Sequence, residues 1–171
     1  MKRARFIMAI IVAIVLVSCK ETLPRRFDSF VSTVEEESSL LSYTEEYWMD
    51  KDSRFKRLYD EYQEKRSSFS SDEKRDLNAA IARYEFQRID SFVSYVEAND
   101  SDFSEDDWLG TNERFLELVR EYKENRHAYN SSEKRQIDSV ILHYCGIMFR
   151  AKIPGVTDKI RSILRELGLT F

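Results

Sequence analysis

The sequence predicts an all-α protein: two tandem three-helix bundle repeats sharing a long central helix, followed by a C-terminal helix. Three observations point to it. Breakers are scarce, with only two prolines (Pro24 and Pro154) and four glycines (Gly110, Gly146, Gly155 and Gly168) in 171 residues; so few turn-formers favour long helices over strands. Apolar residues recur at i, i+3, i+4 and i+7, the signature of one helical face. The chain also repeats itself, which bears on the whole architecture. Shifted by 60 residues, segment 45–84 aligns without a gap on 105–144, and fifteen of the 40 positions are identical. They include Trp48/Trp108, Arg54-Phe55/Arg114-Phe115, Glu61-Tyr62/Glu121-Tyr122, Arg66/Arg126 and Tyr84/Tyr144. Upstream, Asp-Ser-Phe-Val-Ser at 28–32 recurs at 90–94, a shift of 62.

Residues 1–18 read as a secretory leader. Lys2, Arg3 and Arg5 precede an unbroken apolar run at 6–17. A positive start, a short apolar core and a small residue before the cut mark a signal peptide. The run is too short to span a bilayer, which takes about 20 apolar residues. Leu16-Val17-Ser18-Cys19 resembles the lipobox of bacterial lipoproteins. The resemblance implies that Cys19 is acylated, as by palmitate, and becomes the mature N-terminus, with the membrane as its partner through that lipid. Two or more acyl chains give stable anchoring, at about 0.8 kcal/mol per buried methylene. In two-membrane bacteria, Asp after the cysteine usually marks inner-membrane retention. Lys20 stands there, so the resemblance implies the outer membrane of the cell envelope, with the periplasmic or surface face left open. Segment 19–26 reads as a lipidated tether.

The mature chain would run from Cys19 to Phe171, 153 residues. The leader takes three of the 27 basic residues and none of the 31 acidic ones, leaving the mature chain at −7. That argues against nucleic acid as a partner, since its affinity comes from Lys and Arg on phosphates.

Repeat 1 covers 27–88 and repeat 2 covers 89–152, each read as three helices. The first carries Phe27, Phe30, Val31 and Val34, or Ile89, Phe92, Val93 and Val96. The second starts at Thr44 or Ser104, good N-caps followed by acidic residues that suit the helix dipole. Its stripe is Trp48, Phe55, Leu58 and Tyr62, or Trp108, Phe115, Leu118 and Tyr122. The third starts at Ser70 or Asn130 with Glu73 or Glu133 three residues on, a capping-box spacing. Its stripe is Leu77, Ile81 and Tyr84, or Ile137, Ile141 and Tyr144. Between Ser71 and Glu97 there is no Gly or Pro, so the third helix of repeat 1 runs into the first of repeat 2. The two stripes differ by about a quarter turn at 100° per residue, letting one shared helix face both bundles. The arrangement resembles spectrin-type tandem three-helix repeats in architecture alone. Pro154-Gly155 breaks the chain. Thr157 then caps a C-terminal amphipathic helix within 153–171, with Ile160, Ile163, Leu164 and Leu167 on one face. It reads either as a cover for the bundle or as a docking helix.

Chemistry-bearing patterns are sparse. No phosphate loop, nucleophile elbow or His-Glu-x-x-His motif is present. His143 and Cys145 are two apart, which fits no common zinc spacing. Segment 99–105 has the oxygens of a calcium loop without its central glycine. No metal, cofactor or catalytic residue is therefore expected. Cys145 reads as a small buried apolar side chain. The repeated Arg54/Arg114 and Trp48/Trp108 are the candidate binding residues, set against a structural role in pairing and core packing. The expected function is a non-enzymatic helical binding or scaffolding module with an envelope protein partner; a small-ligand carrier or sensor with a pocket between helices is the alternative.

Overall fold

Six α-helices, three 3-10 turns and no strand make up the described residues. The computed structural model describes residues 21–40, 43–151 and 156–169. The leader, Cys19 and the Pro154-Gly155 break lie outside them, and so does the Thr157 side chain. The helices are α1 (Leu23–Leu40), α2 (Glu45–Glu64), α3 (Ser71–Asn99), α4 (Glu105–Asn125), α5 (Ser131–Ala151) and α6 (Val156–Leu167).

Each internal start is set by its cap. Thr44 accepts from the Tyr47 amide at 3.3 Å. Ser70 exchanges bonds with Glu73, and Ser104 with Asp107. Asn130 Oδ1 accepts from the Ser132 and Glu133 amides at 2.8 and 3.0 Å, while Glu133 accepts from the Asn130 amide. These bonds satisfy amides that the first helical turn leaves free. The first helix starts earlier than the tether at 19–26 allowed. Leu23 to Arg26 belong to α1, and Leu23 is buried. Pro24 permits this because a first-turn amide has no intrahelical acceptor, so nothing is lost with the missing N–H.

Helix α3 is continuous for 29 residues across the repeat boundary. Both of its stripes are buried, Leu77, Ile81 and Tyr84 before the junction and Ile89, Phe92, Val93 and Val96 after it. Helix directions follow from paired residues. On α3, Asn78 meets Tyr62 and Tyr84 meets Phe55, so α2 is antiparallel to it. Arg88 meets Glu121 and Glu85 meets Asn125, so α4 is antiparallel too. Helices α1 and α5 pack along α3. Corresponding residues of the two copies build the same aromatic cluster: Phe30, Phe55 and Tyr84, then Phe92, Phe115 and Tyr144. Tyr84 stacks on Phe55 at 4.1 Å and Tyr144 on Phe115 at 3.6 Å. Helix α6 lies against α4 and α5, buries Ile160, Leu164 and Leu167, and is tied to α4 by Lys123–Glu166.

Candidate functional site

Trp48 and Trp108 are 1% and 5% exposed. Trp48 packs edge-on against Tyr47 and Tyr84, and Trp108 against Phe103. Both rings belong to the core, and neither presents a face to solvent. Arg54 and Arg114 are not brought together. Arg54 lies over the Phe30 ring at 5.2 Å. Arg114 pairs with Glu117 at 3.0 Å and reaches Asp52 of α2 at 3.6 Å. Cys145 is 1% exposed, and burial pushes its thiol up to about 12, far from thiolate chemistry. His143 pairs with Glu97 at the surface.

The structure draws attention elsewhere. Helices α2 and α4, equivalents in the repeat, lie side by side over α3. Arg114–Asp52 joins them at one level and a Tyr59–Asn125 hydrogen bond of 2.8 Å at another. Between them is a groove of about 310 Å³ floored by Tyr84, Glu85 and Arg88. Its walls include Asp52, Phe55 and Tyr59 on one side and Glu121, Glu124 and Asn125 on the other. Arg88, nearly buried, spans the floor. Its Nη2 donates to Asp52 at 2.6 Å and its Nη1 to Glu121. Asp52 also accepts from the Tyr84 hydroxyl at 2.6 Å. Burial first, and then the Asp52 charge, drive the Tyr84 pKa far above its ordinary value.

Glu85 has the most unusual environment. It is 6% exposed, and burial pushes its carboxyl up to about 8 even though Asn125 donates to it. A carboxyl in that state is largely protonated at neutral pH. Asn125 Nδ2 donates to Glu85 Oε1 at 2.7 Å while Asn125 Oδ1 accepts from Tyr59, so one amide links α2, α3 and α4. The buried Tyr129 hydroxyl faces the same carboxyl and stabilises its charged form. Neither Glu85 Oε2 nor the Tyr129 hydroxyl has a partner in good hydrogen-bond geometry. Among the described residues, no group of three or more His, Cys, Asp or Glu side chains is placed to hold a metal ion.

Comparison of the two copies singles out this groove. Sixty residues after Tyr59, Glu85 and Arg88 stand Val119, Cys145 and Met148, all buried. Those residues are on α4 and α5, against which α6 packs. The α2–α3 side of the fold thus keeps charged residues over an open groove where the α4–α5 side has apolar ones in the core. Sequence reasoning passed over Glu85 and Arg88 because the aligned segment ended at Tyr84. The available signal was a polar i, i+3 pair set between buried stripes, with apolar residues at both corresponding positions.

The chain matches no protein-family model, no characterised protein and no solved structure.

Proposed function

We propose that this chain is a lipid-anchored protein of the bacterial cell envelope, placed at the outer membrane, that acts as a non-enzymatic helical binding and scaffolding module. The lipobox-like Leu16-Val17-Ser18-Cys19 carries this reading. The helical body supports it, because α1 begins only four residues after Cys19. An extended chain of that length reaches about 14 Å, so acylation would hold one end of the fold against the bilayer. The two copies, joined through α3, then form one rigid helical surface projecting from the membrane. The architecture in this reading is two three-helix units sharing α3 and laid side by side, with α6 covering the end of the second.

Fractionation of cells making the full chain or Cys19→Ala tests the anchor. Wild type is expected in the membrane fraction after a high-salt wash, and Cys19→Ala in the soluble fraction. Equal partitioning of the two would overturn the anchored reading.

A second reading, a small-ligand carrier or sensor, is supported by the groove over Glu85. It is open, close in volume to the smaller ligand pockets of proteins, and sets three aromatic side chains among charged ones.

A further inference from the structure

We propose that the groove between α2 and α4 binds a small primary ammonium with an apolar body, and that Glu85 is the carboxylate that receives it. The inference rests on the carrier reading and names its ligand class.

The charge balance of the lining comes first. It holds five carboxyl side chains, on Asp52, Asp60, Glu85, Glu121 and Glu124, against two cations, Lys56 and Arg88. Arg88 is engaged by Asp52 and Glu121, and Lys56 by Asp60. Among the described residues, Glu85 and Glu124 have no cation at ion-pair distance. The groove therefore has a deficit of positive charge that a cationic guest would correct.

The missing bond is the second observation. Glu85 is more than nine-tenths buried and lines the groove, and its Oε2 receives no well-formed hydrogen bond, although the Tyr129 hydroxyl, itself without one, faces the same carboxyl. A buried carboxyl oxygen left without a partner is costly, more so once the group ionises. A primary ammonium offers three N–H donors on a compact charge, whereas a quaternary ammonium offers none. The aromatic walls are the third. Phe55 and Tyr59, both half-buried, line the groove and give apolar surface for the body of the guest. A bare metal ion does not fit, since the acidic side chains do not converge on one point.

Binding is coupled to a proton. In the free protein near neutral pH Glu85 carries its proton; on binding, the carboxyl ionises against the ammonium and that proton passes to solvent, so charge balances. The titratable and charged groups that line the groove with Glu85 are Asp52, Lys56, Tyr59 and Asp60 from α2, Glu121 and Glu124 from α4, and Tyr84 and Arg88 on its own helix, with the Tyr129 hydroxyl against the carboxyl. His127 lines the neighbouring pocket beside Tyr129 and serves as a control.

Isothermal titration of the full chain in detergent, with phenethylamine, its N-trimethylated analogue and neutral 2-phenylethanol, tests the proposal. Phenethylamine is expected to bind saturably, with affinity rising by up to about tenfold per pH unit between about pH 6 and 8 and levelling above. Glu85→Gln, checked for native helicity by circular dichroism, is expected to lose at least about tenfold in affinity and to flatten the pH profile. The trimethylated analogue is expected to bind at least about tenfold more weakly, and His127→Gln to leave the profile in place. Wild-type affinity in Glu85→Gln, or equal binding of the trimethylated analogue, would overturn the ammonium assignment. So would 2-phenylethanol binding as tightly as the amine, an outcome that leaves the carrier reading intact. No saturable binding of any of the three up to about 10 mM would overturn both.

Discussion

The Tyr122 hydroxyl donates to Asp138 Oδ1 at 2.8 Å, and Arg126 closes the triangle by donating to both, at 3.0 and 2.8 Å. Sixty residues earlier, Tyr62 donates to Asn78 at 3.2 Å while Arg66 lies over the Tyr62 ring. The same joint between a second and a third helix thus occurs in ionic and neutral forms. Hydrogen bonds to charged groups are the stronger kind. Tyr122→Phe is expected to lower the unfolding free energy by about 1.5–3 kcal/mol and Tyr62→Phe by about 0.5–1.5 kcal/mol. Urea denaturation of the two variants checks the order, and the reverse order would contradict the account.

Trp48 and Trp108 anchor the start of their helices in the core. Truncating a buried Trp to Ala removes its burial and leaves a cavity, at about 3–5 kcal/mol. Trp48→Ala and Trp108→Ala should each show that loss in thermal or chemical unfolding. Near-wild-type stability in either would mean that the ring is not packed as described.

Glu85 ties stability to pH, with a sign that follows from its burial. An ordinary Glu ionises near 4.5, whereas the folded chain holds Glu85 protonated to about 8. Between those values the unfolded state binds fewer protons. The group's contribution therefore falls as pH rises, by up to about 1.4 kcal/mol per unit, and levels off above about 8. Glu85→Gln cannot ionise. Its stability relative to wild type is expected to increase steadily from pH 5 to pH 8, read from denaturation midpoints across that window. Parallel curves for the two proteins would contradict the protonated assignment.

Arg88 can be replaced by the residue its counterpart position carries. Arg88→Met removes a donor from both Asp52 and Glu121 and should cost about 1–3 kcal/mol. Asp52 keeps Tyr84 and Arg114 as partners, which limits the loss. Adding Asp52→Asn, the residue found at Asn112, is expected to recover part of it, because the stranded charge goes with the substitution. Strictly additive losses would show that the two side chains are not coupled.

The helix starts were legible because capping is local: Thr44, Ser70, Ser104 and Asn130 each bond to amides two or three residues away. The continuity of α3 was legible because no Gly or Pro interrupts it. The start of α1 at Leu23 was not legible, because Pro24, a breaker in general, is harmless in a first turn. The side-by-side placement of α2 and α4 was not legible, since Asp52 meets Arg114 and Tyr59 meets Asn125 only through tertiary packing. The groove went unseen with it, because Glu85 looks like any helix-surface glutamate until α4 closes over it. Arg54 and Arg114, alike in sequence, part company for the same reason: one lies over Phe30, the other bridges helices.

Intact-mass and N-terminal analysis of the protein recovered from membranes tests the lipid-anchored reading most directly. The account predicts a mature chain beginning at Cys19, heavier than its sequence by the mass of the attached acyl chains. An unmodified chain that still begins at Met1 would contradict it.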